Sequence, residues 1–123
     1  MVKQHSEHRV EKDLLGEKKI PAEAYWGVHT SRALDNYQIT GFALFNAPEL
    51  INALAAVKWA ATKANADLDT IPLDLAKAIT QACKEIRTGK LHDQFVVDVI
   101  QGGAGTSTNM NANEVIANRA IEI

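Results

Sequence analysis

The chain has 123 residues, 46% of them hydrophobic and 23% charged, the balance of an ordinary soluble globular chain long enough to bury a core of its own as one domain. A formal net charge of -2 removes the electrostatic case for nucleic acid or an anionic membrane, no apolar run approaches the ~18 residues that suggest a membrane span, and no hydrophobic signal region opens the chain. One cysteine cannot form an internal disulfide, and these absences together favour the cytoplasm.

Residues 1–8 read as a polar, mobile tail. His5 and His8 have a spacing that would ligate a metal on a helix, but no further ligand lies near them, so no metal site is expected. Over 9–20, Val10, Leu14, Leu15 and Ile20 flank Gly16, which suggests an extended arm or short hairpin, with Lys18 and Lys19 on a solvated face. The helical body is expected from residue 21 onward. Pro21 suits a helix start, and 22–37 has helical composition interrupted at Gly27, with Tyr25, Trp26, Leu34 and Tyr37 as its apolar face. His29 reads as a hydrogen-bonded structural histidine.

Residues 41–46 form a predicted loop whose Phe42 and Phe45 cover the helix that follows. Pro48 and Glu49 open that helix, and Leu50, Leu54, Val57, Ala61, Ala64 and Leu68 recur at helical spacing as its predicted buried stripe. Thr70-Ile71-Pro72 breaks it. Leu75, Ile79, Cys83 and Ile86 mark a second, antiparallel helix stopped at Gly89, with Cys83 a buried small hydrophobe rather than a nucleophile. Residues 90–101 predict a short helix and then an extended run, with His92 and Asp93 as a solvated pair. Ala112, Ile116, Ala120 and Ile123 mark the final helix, beginning near 106–108. Its register is unbroken at the last residue, so the chain is expected to end inside a helix, as a truncated one would.

The stretch with chemical content is Gln101 to Glu114, where Gly102, Gly103 and Gly105 lead through Thr106, Ser107 and Thr108 into that last helix. Glycines admit positive φ and let a ligand approach the backbone, and a helix start offers free N–H groups and partial positive charge. The expected ligand of loop 101–108 is therefore a carboxylate or a phosphate. A P-loop is excluded, because Thr106 and Ser107 stand where Lys and Ser or Thr are required. A dinucleotide fingerprint is excluded too, because its third glycine would fall on Thr108. The alternative is a glycine-rich turn with no ligand. Ser107 and Thr108 can cap the helix or reach a ligand, and capping is the expectation.

The run from Gly102 to Val115 resembles the substrate-binding segment of the aspartase/fumarase superfamily. Lys12-Asp13-Leu14-Leu15-Gly16, Ile20 to Thr30 and Asp93-Gln94-Phe95 resemble the same family in the same order, so the resemblance runs from about Arg9 to Ile123. Ala104 and Ser107 place it nearer the aspartate ammonia-lyases than the class II fumarases, which usually carry Ser and Gln at those places. The resemblance implies a mainly α N-terminal domain with a short extended arm. It implies a lyase that converts L-aspartate to fumarate and ammonia without a cofactor, as a homotetramer whose sites are shared among three subunits. It places Thr106 against the substrate carboxylate or amino group. The candidate substrate-binding set is Gly105, Thr106, Ser107 and Asn109, with Asn109 in a supporting role. Three asparagines do not share one helix face, so Asn111 and Asn113 are expected to bond loops or neighbouring subunits. The serine base of the family has no counterpart in this stretch, so no catalytic residue is expected and the chain alone is expected to be inactive. Two alternatives stay open: the same domain of a class II fumarase, and a stand-alone anion-binding helical module.

Overall fold

A computed structural model describes residues 7–123. His5 lies outside them, and His8 is the first residue of a strand rather than part of a tail. Strands β1 (His8–Asp13) and β2 (Gly16–Pro21) pair antiparallel from His8↔Pro21 to Asp13↔Gly16, the expected hairpin. Its tip is Leu14-Leu15: the Asp13 carboxylate accepts the Leu15 N–H at 2.9 Å and Gly16 takes φ +113°, open to glycine at no steric cost. Period-two alternation turns Ile20 fully inward and leaves Val10 outward.

Pro21 does not start a helix. It ends β2, and residues 22–27 are irregular before α1 (Val28–Asn36) begins. The reason lies elsewhere in the chain. The Arg9 guanidinium donates to the carbonyls of Pro21, Ala24 and Trp26 at 3.0, 2.7 and 2.7 Å, satisfying main-chain acceptors that a helix would otherwise have to pair. α1 buries Val28, Thr30, Ser31 and Ala33, while Tyr25, Trp26 and Tyr37 pack partly buried against the core.

A 3-10 turn at Leu44–Asn46 leads into α2 (Pro48–Asp67), with Pro48 in the first turn and Glu49 beside it, as the sequence predicts. Leu44 is the buried residue of that turn. Phe42 and Phe45 are about half exposed and do not cover the helix. Of the predicted stripe of α2 only Leu54 packs against the core; Leu50, Val57 and Leu68 are 44%, 64% and 73% exposed, while Ile51, Ala55 and Thr62 are buried. α2 carries apolar residues on two neighbouring stripes. The core takes the one with Thr62, whose hydroxyl is satisfied inside the helix by the Lys58 carbonyl at 2.8 Å.

α3 (Leu73–Arg87) follows Pro72 and buries Ala76, Ala82, Cys83 and Ile86, while the predicted Leu75 is exposed. The five-residue connection, and Lys84 and Arg87 over the Trp59 ring, set α3 antiparallel to α2. Gly89 ends the helix at φ +97°. Burial pushes the Cys83 thiol up to about 11, an inert core position. A 3-10 turn at His92–Gln94 precedes an extended run in which Phe95 and Val97 are buried. That run bridges antiparallel to Ala43 through Asp98. His92 is not a solvated partner of Asp93; its Nε2 lies 2.8 Å from the Ile86 carbonyl and its ring stands edge-on to Phe95.

α4 (Thr106–Glu122) closes the core with Ala112, Val115, Ile116 and Ala120, while Ile123 is half exposed. It packs against α1, α2 and α3. The architecture is mainly α with an N-terminal hairpin.

Candidate functional site

The glycine loop is shaped by backbone demands that its residues meet one by one. Gly103 and Gly105 take φ +78° and +79°, where an L side chain is strained. Gly102 lies against Tyr37, whose hydroxyl would stand 2.9 Å from an added Cβ. Gly105 is the N-cap of α4 and has no side chain with which to cap it.

Neither Ser107 nor Thr108 supplies the expected cap. Gln101 does so from across the loop: its Oε1 accepts the Thr108 N–H at 2.9 Å, and its Nε2 donates to Thr108 Oγ1 at 2.8 Å and to the Asp98 carbonyl at 2.9 Å. That satisfies the third N–H of the helix. The N–H groups of Thr106 and Ser107 have no acceptor among the described residues. The loop is exposed from Gly102 to Ala104, and Thr106 is exposed with Ser107 half-buried beside it.

The surrounding charge favours an anion here. α2 and α3 carry Glu49 and Asp74 in their first turns, but α4 has no acid in its own. Lys58, on the core-facing side of α2, donates from Nζ to Asn109 Oδ1 at 2.6 Å and so brings an ammonium to the first turns of α4. Thus Gly105, Thr106, Ser107 and Asn109 lie together on one helix start, with Asn109 held by Lys58. Asn111 is instead fully buried, accepting the Val96 and Val97 N–H groups at 3.0 and 3.4 Å and donating to the Gln94 carbonyl at 2.9 Å. Among the described residues Asn113 makes only a long contact to Met110 sulfur, 3.8 Å. Among the described residues no group of His, Cys, Asp and Glu is placed to hold a metal ion, and no helix is long and apolar enough to cross a membrane.

Two carboxylates support this arrangement without being legible as motifs. Asp98, only 6% exposed, accepts the N–H groups of Ile39, Thr40, Gly41 and Ile100 and the Thr40 hydroxyl. The Ile100 N–H, and then those of Thr40 and Gly41, hold its carboxyl down at about 2 against the opposing effect of burial. Glu114, two turns into α4, accepts the Gly27 and His29 N–H groups at 2.8 Å and that of Thr30 at 3.1 Å, capping α1 from a different helix. His29 thus contributes its backbone there. Lys58 alone of these residues left a sequence signal: it shares a face with Ile51, Ala55 and Thr62, a stripe beside a second apolar one from which local sequence does not separate it.

Residues 16–123 match a family model described as Lyase. The chain is 57% identical over 123 residues to an aspartate ammonia-lyase of Bacillus subtilis, covering 100% of this chain and 26% of that protein. It is 52% identical over 116 residues to the aspartate ammonia-lyase of Escherichia coli K12, covering 94% and 24%. Among solved structures it superposes on a fumarate lyase:delta crystallin from Brucella melitensis bound to cobalt, with TM-score 0.93, 54% identity and coverage of 94% and 25%. The class II fumarase of Schistosoma mansoni gives TM-score 0.89 at 36% identity, covering 94% and 24%. The chain spans about a quarter of the length of the relatives it matches.

Proposed function

Since the chain belongs to this lyase family, we propose that it supplies the substrate-carboxylate site of an aspartate ammonia-lyase, the enzyme that converts L-aspartate to fumarate and ammonia. The observation that carries the reading is the open start of α4: two left-handed glycines present the unpaired N–H groups of Thr106 and Ser107 beside an Asn109 held by Lys58. In this elimination a proton leaves the carbon next to the side-chain carboxylate. Negative charge then concentrates on that carboxylate as an enediolate before the carbon–nitrogen bond breaks. Donors fixed in place before the reaction stabilise that charge without reorganising. Gly105 keeps the approach unobstructed, Thr106 and Ser107 donate through N–H and hydroxyl groups, and Asn109 supports them.

The same parts are too few to act alone. A surface helix start contributes about 0.3 to 1 kcal/mol toward an anion, and a charged hydrogen bond about 1.5 to 3. Catalysis needs ~8 kcal/mol or more of transition-state stabilisation. On this reading the serine base and the remaining walls of the site come from the other three quarters of the enzyme, assembled as a homotetramer, and the 123-residue chain by itself is inactive.

The test replaces the corresponding quarter of the B. subtilis enzyme with residues 1–123 and follows ammonia release from L-aspartate alongside dehydration of L-malate. The expected chimera deaminates aspartate, loses roughly 10²-fold or more in kcat on Thr106→Val, and has no counterpart activity in the 123-residue chain. A folded, tetrameric chimera that acts on malate instead moves the reading to fumarase. Full activity after Thr106→Val removes the loop from the site, and ammonia release by the chain alone overturns its inactivity.

A further inference from the structure

We infer that Gln101 is the positioning residue of this carboxylate site, closing α4 with a neutral amide so that the first two N–H groups of the helix stay available to a dicarboxylate. The inference rests on the reading of the loop just given, which draws on the family as well as on the helix start. A Ser, Thr, Asn or Asp at the N-cap normally bonds the second or third N–H with its own side chain. Here the N-cap is Gly105, and that task passes to a side chain four residues upstream, which reaches only the Thr108 N–H. The Gln101 carboxamide is fully committed in doing so. Its oxygen is held by Thr108, and its nitrogen bonds both Thr108 Oγ1 and the Asp98 carbonyl. Asp98 is itself locked by the N–H groups of residues 39–41 and 100, so the near end of the loop is tied to the core while Gly102 to Ala104 stay exposed.

The neutral character of the group matters as much as its reach. The same chain shows the alternative at α1, where the carboxylates of Glu114 and Glu11 take up the N–H groups of Gly27, Val28, His29 and Thr30 and fill that helix start with negative charge. A carboxylate in place of the Gln101 amide would still accept the Thr108 N–H. It would lose both donated bonds and repel a second anion at the same helix end.

The test titrates fumarate into the active chimeric enzyme carrying residues 1–123 while two-dimensional TROSY NMR follows the amides of Thr106, Ser107 and Thr108, for the parent chimera, Gln101→Glu and Gln101→Met. In the parent, fumarate shifts Thr106 and Ser107 but not Thr108. Gln101→Glu melts no lower than Gln101→Met, because an acid suits a helix start and still accepts the Thr108 N–H, yet binds fumarate about tenfold or more weakly than the parent, through repulsion of a second anion at the same helix end. Gln101→Met, neutral and of similar length, also binds more weakly and exchanges its Thr108 amide faster. Parent-like fumarate affinity in Gln101→Glu overturns the inference, as does a loss of affinity that merely tracks a fall in melting temperature in both variants. Absence of any fumarate response at Thr106 and Ser107 in the parent overturns the loop reading itself, a separate result.

Discussion

At the scale of single residues, Asp98 shows how a carboxylate can organise a region with no motif around it. Its folded carboxyl sits at about 2, below its ordinary 3.8, so it contributes stability that is fully present above about pH 4 and is lost as pH falls through about 2. Asp13 behaves in the same way, held at about 2 chiefly by the bidentate Arg32 guanidinium at 2.7 Å. Melting temperature is therefore expected to fall steeply between pH 4 and pH 2. Asp98→Asn should lower it at pH 7, where the amide cannot accept the same set of N–H groups, and should flatten the acid limb; an acid limb parallel to that of the parent would show that another group governs it. The sequence could not announce this role. The partners of Asp98 lie up to 59 residues upstream, and only the fold brings them together. Gln101 has its partners within seven residues, at Asp98 and Thr108, and was hidden because a side chain that caps a helix from across a loop leaves no spacing signature, whereas Gly103, Gly105 and Thr106 were legible because a glycine loop entering a helix is a local pattern.

Among the elements, boundaries set by local chemistry were readable and faces set by packing were not. The hairpin around Gly16, the Pro48 start of α2, the Pro72 break and the Gly89 stop all follow from residues within a few positions of the boundary. The buried face of α2 does not, because Leu50, Val57 and Leu68 are as apolar as Ile51 and Ala55, and only the placement of α3 and α4 chooses between them. Substitution separates the two faces. Ile51→Ala, at a site with no exposure, should cost about 2 to 5 kcal/mol in chemical denaturation. Val57→Ala, on the open face, should cost less than about 0.5 kcal/mol in the same experiment. Comparable losses at both positions would mean that the outer stripe is covered in solution. Pro21 teaches a related lesson: a residue well suited to begin a helix ends a strand when Arg9 takes the carbonyls that follow.

Over the whole molecule, α4 is the member through which the other parts meet. Its first turns carry the open N–H groups, its buried face joins the core, and its outer residues fasten the N-terminal segment and α3: Asn118 donates to the Tyr25 carbonyl, the Tyr25 hydroxyl donates to Glu122, and Arg119 pairs with Glu85 of α3. Glu114 is the centre of this fastening, because it caps α1 from two turns below the glycine loop. The arrangement makes the hairpin, α1 and α4 parts of one support on which the glycine loop sits, with Gln101 tying its near end to Asp98 and Thr108. Removing the link should therefore be felt at α1 and globally. Glu114→Ala leaves the Gly27, His29 and Thr30 N–H groups without their acceptor, and a lost helix cap with charged bonds should lower stability by about 1 to 3 kcal/mol. Amide exchange at those three residues should rise by more than the global change requires, since α1 would open locally from its first turn. The Glu114→Gln variant keeps one acceptor oxygen, so its stability should fall between that of the parent and that of Glu114→Ala. If exchange at residues 27–30 rises only in step with global unfolding, the cap adds nothing beyond the core, and the Glu11 carboxylate bonded to the Val28 N–H suffices to hold the start of α1.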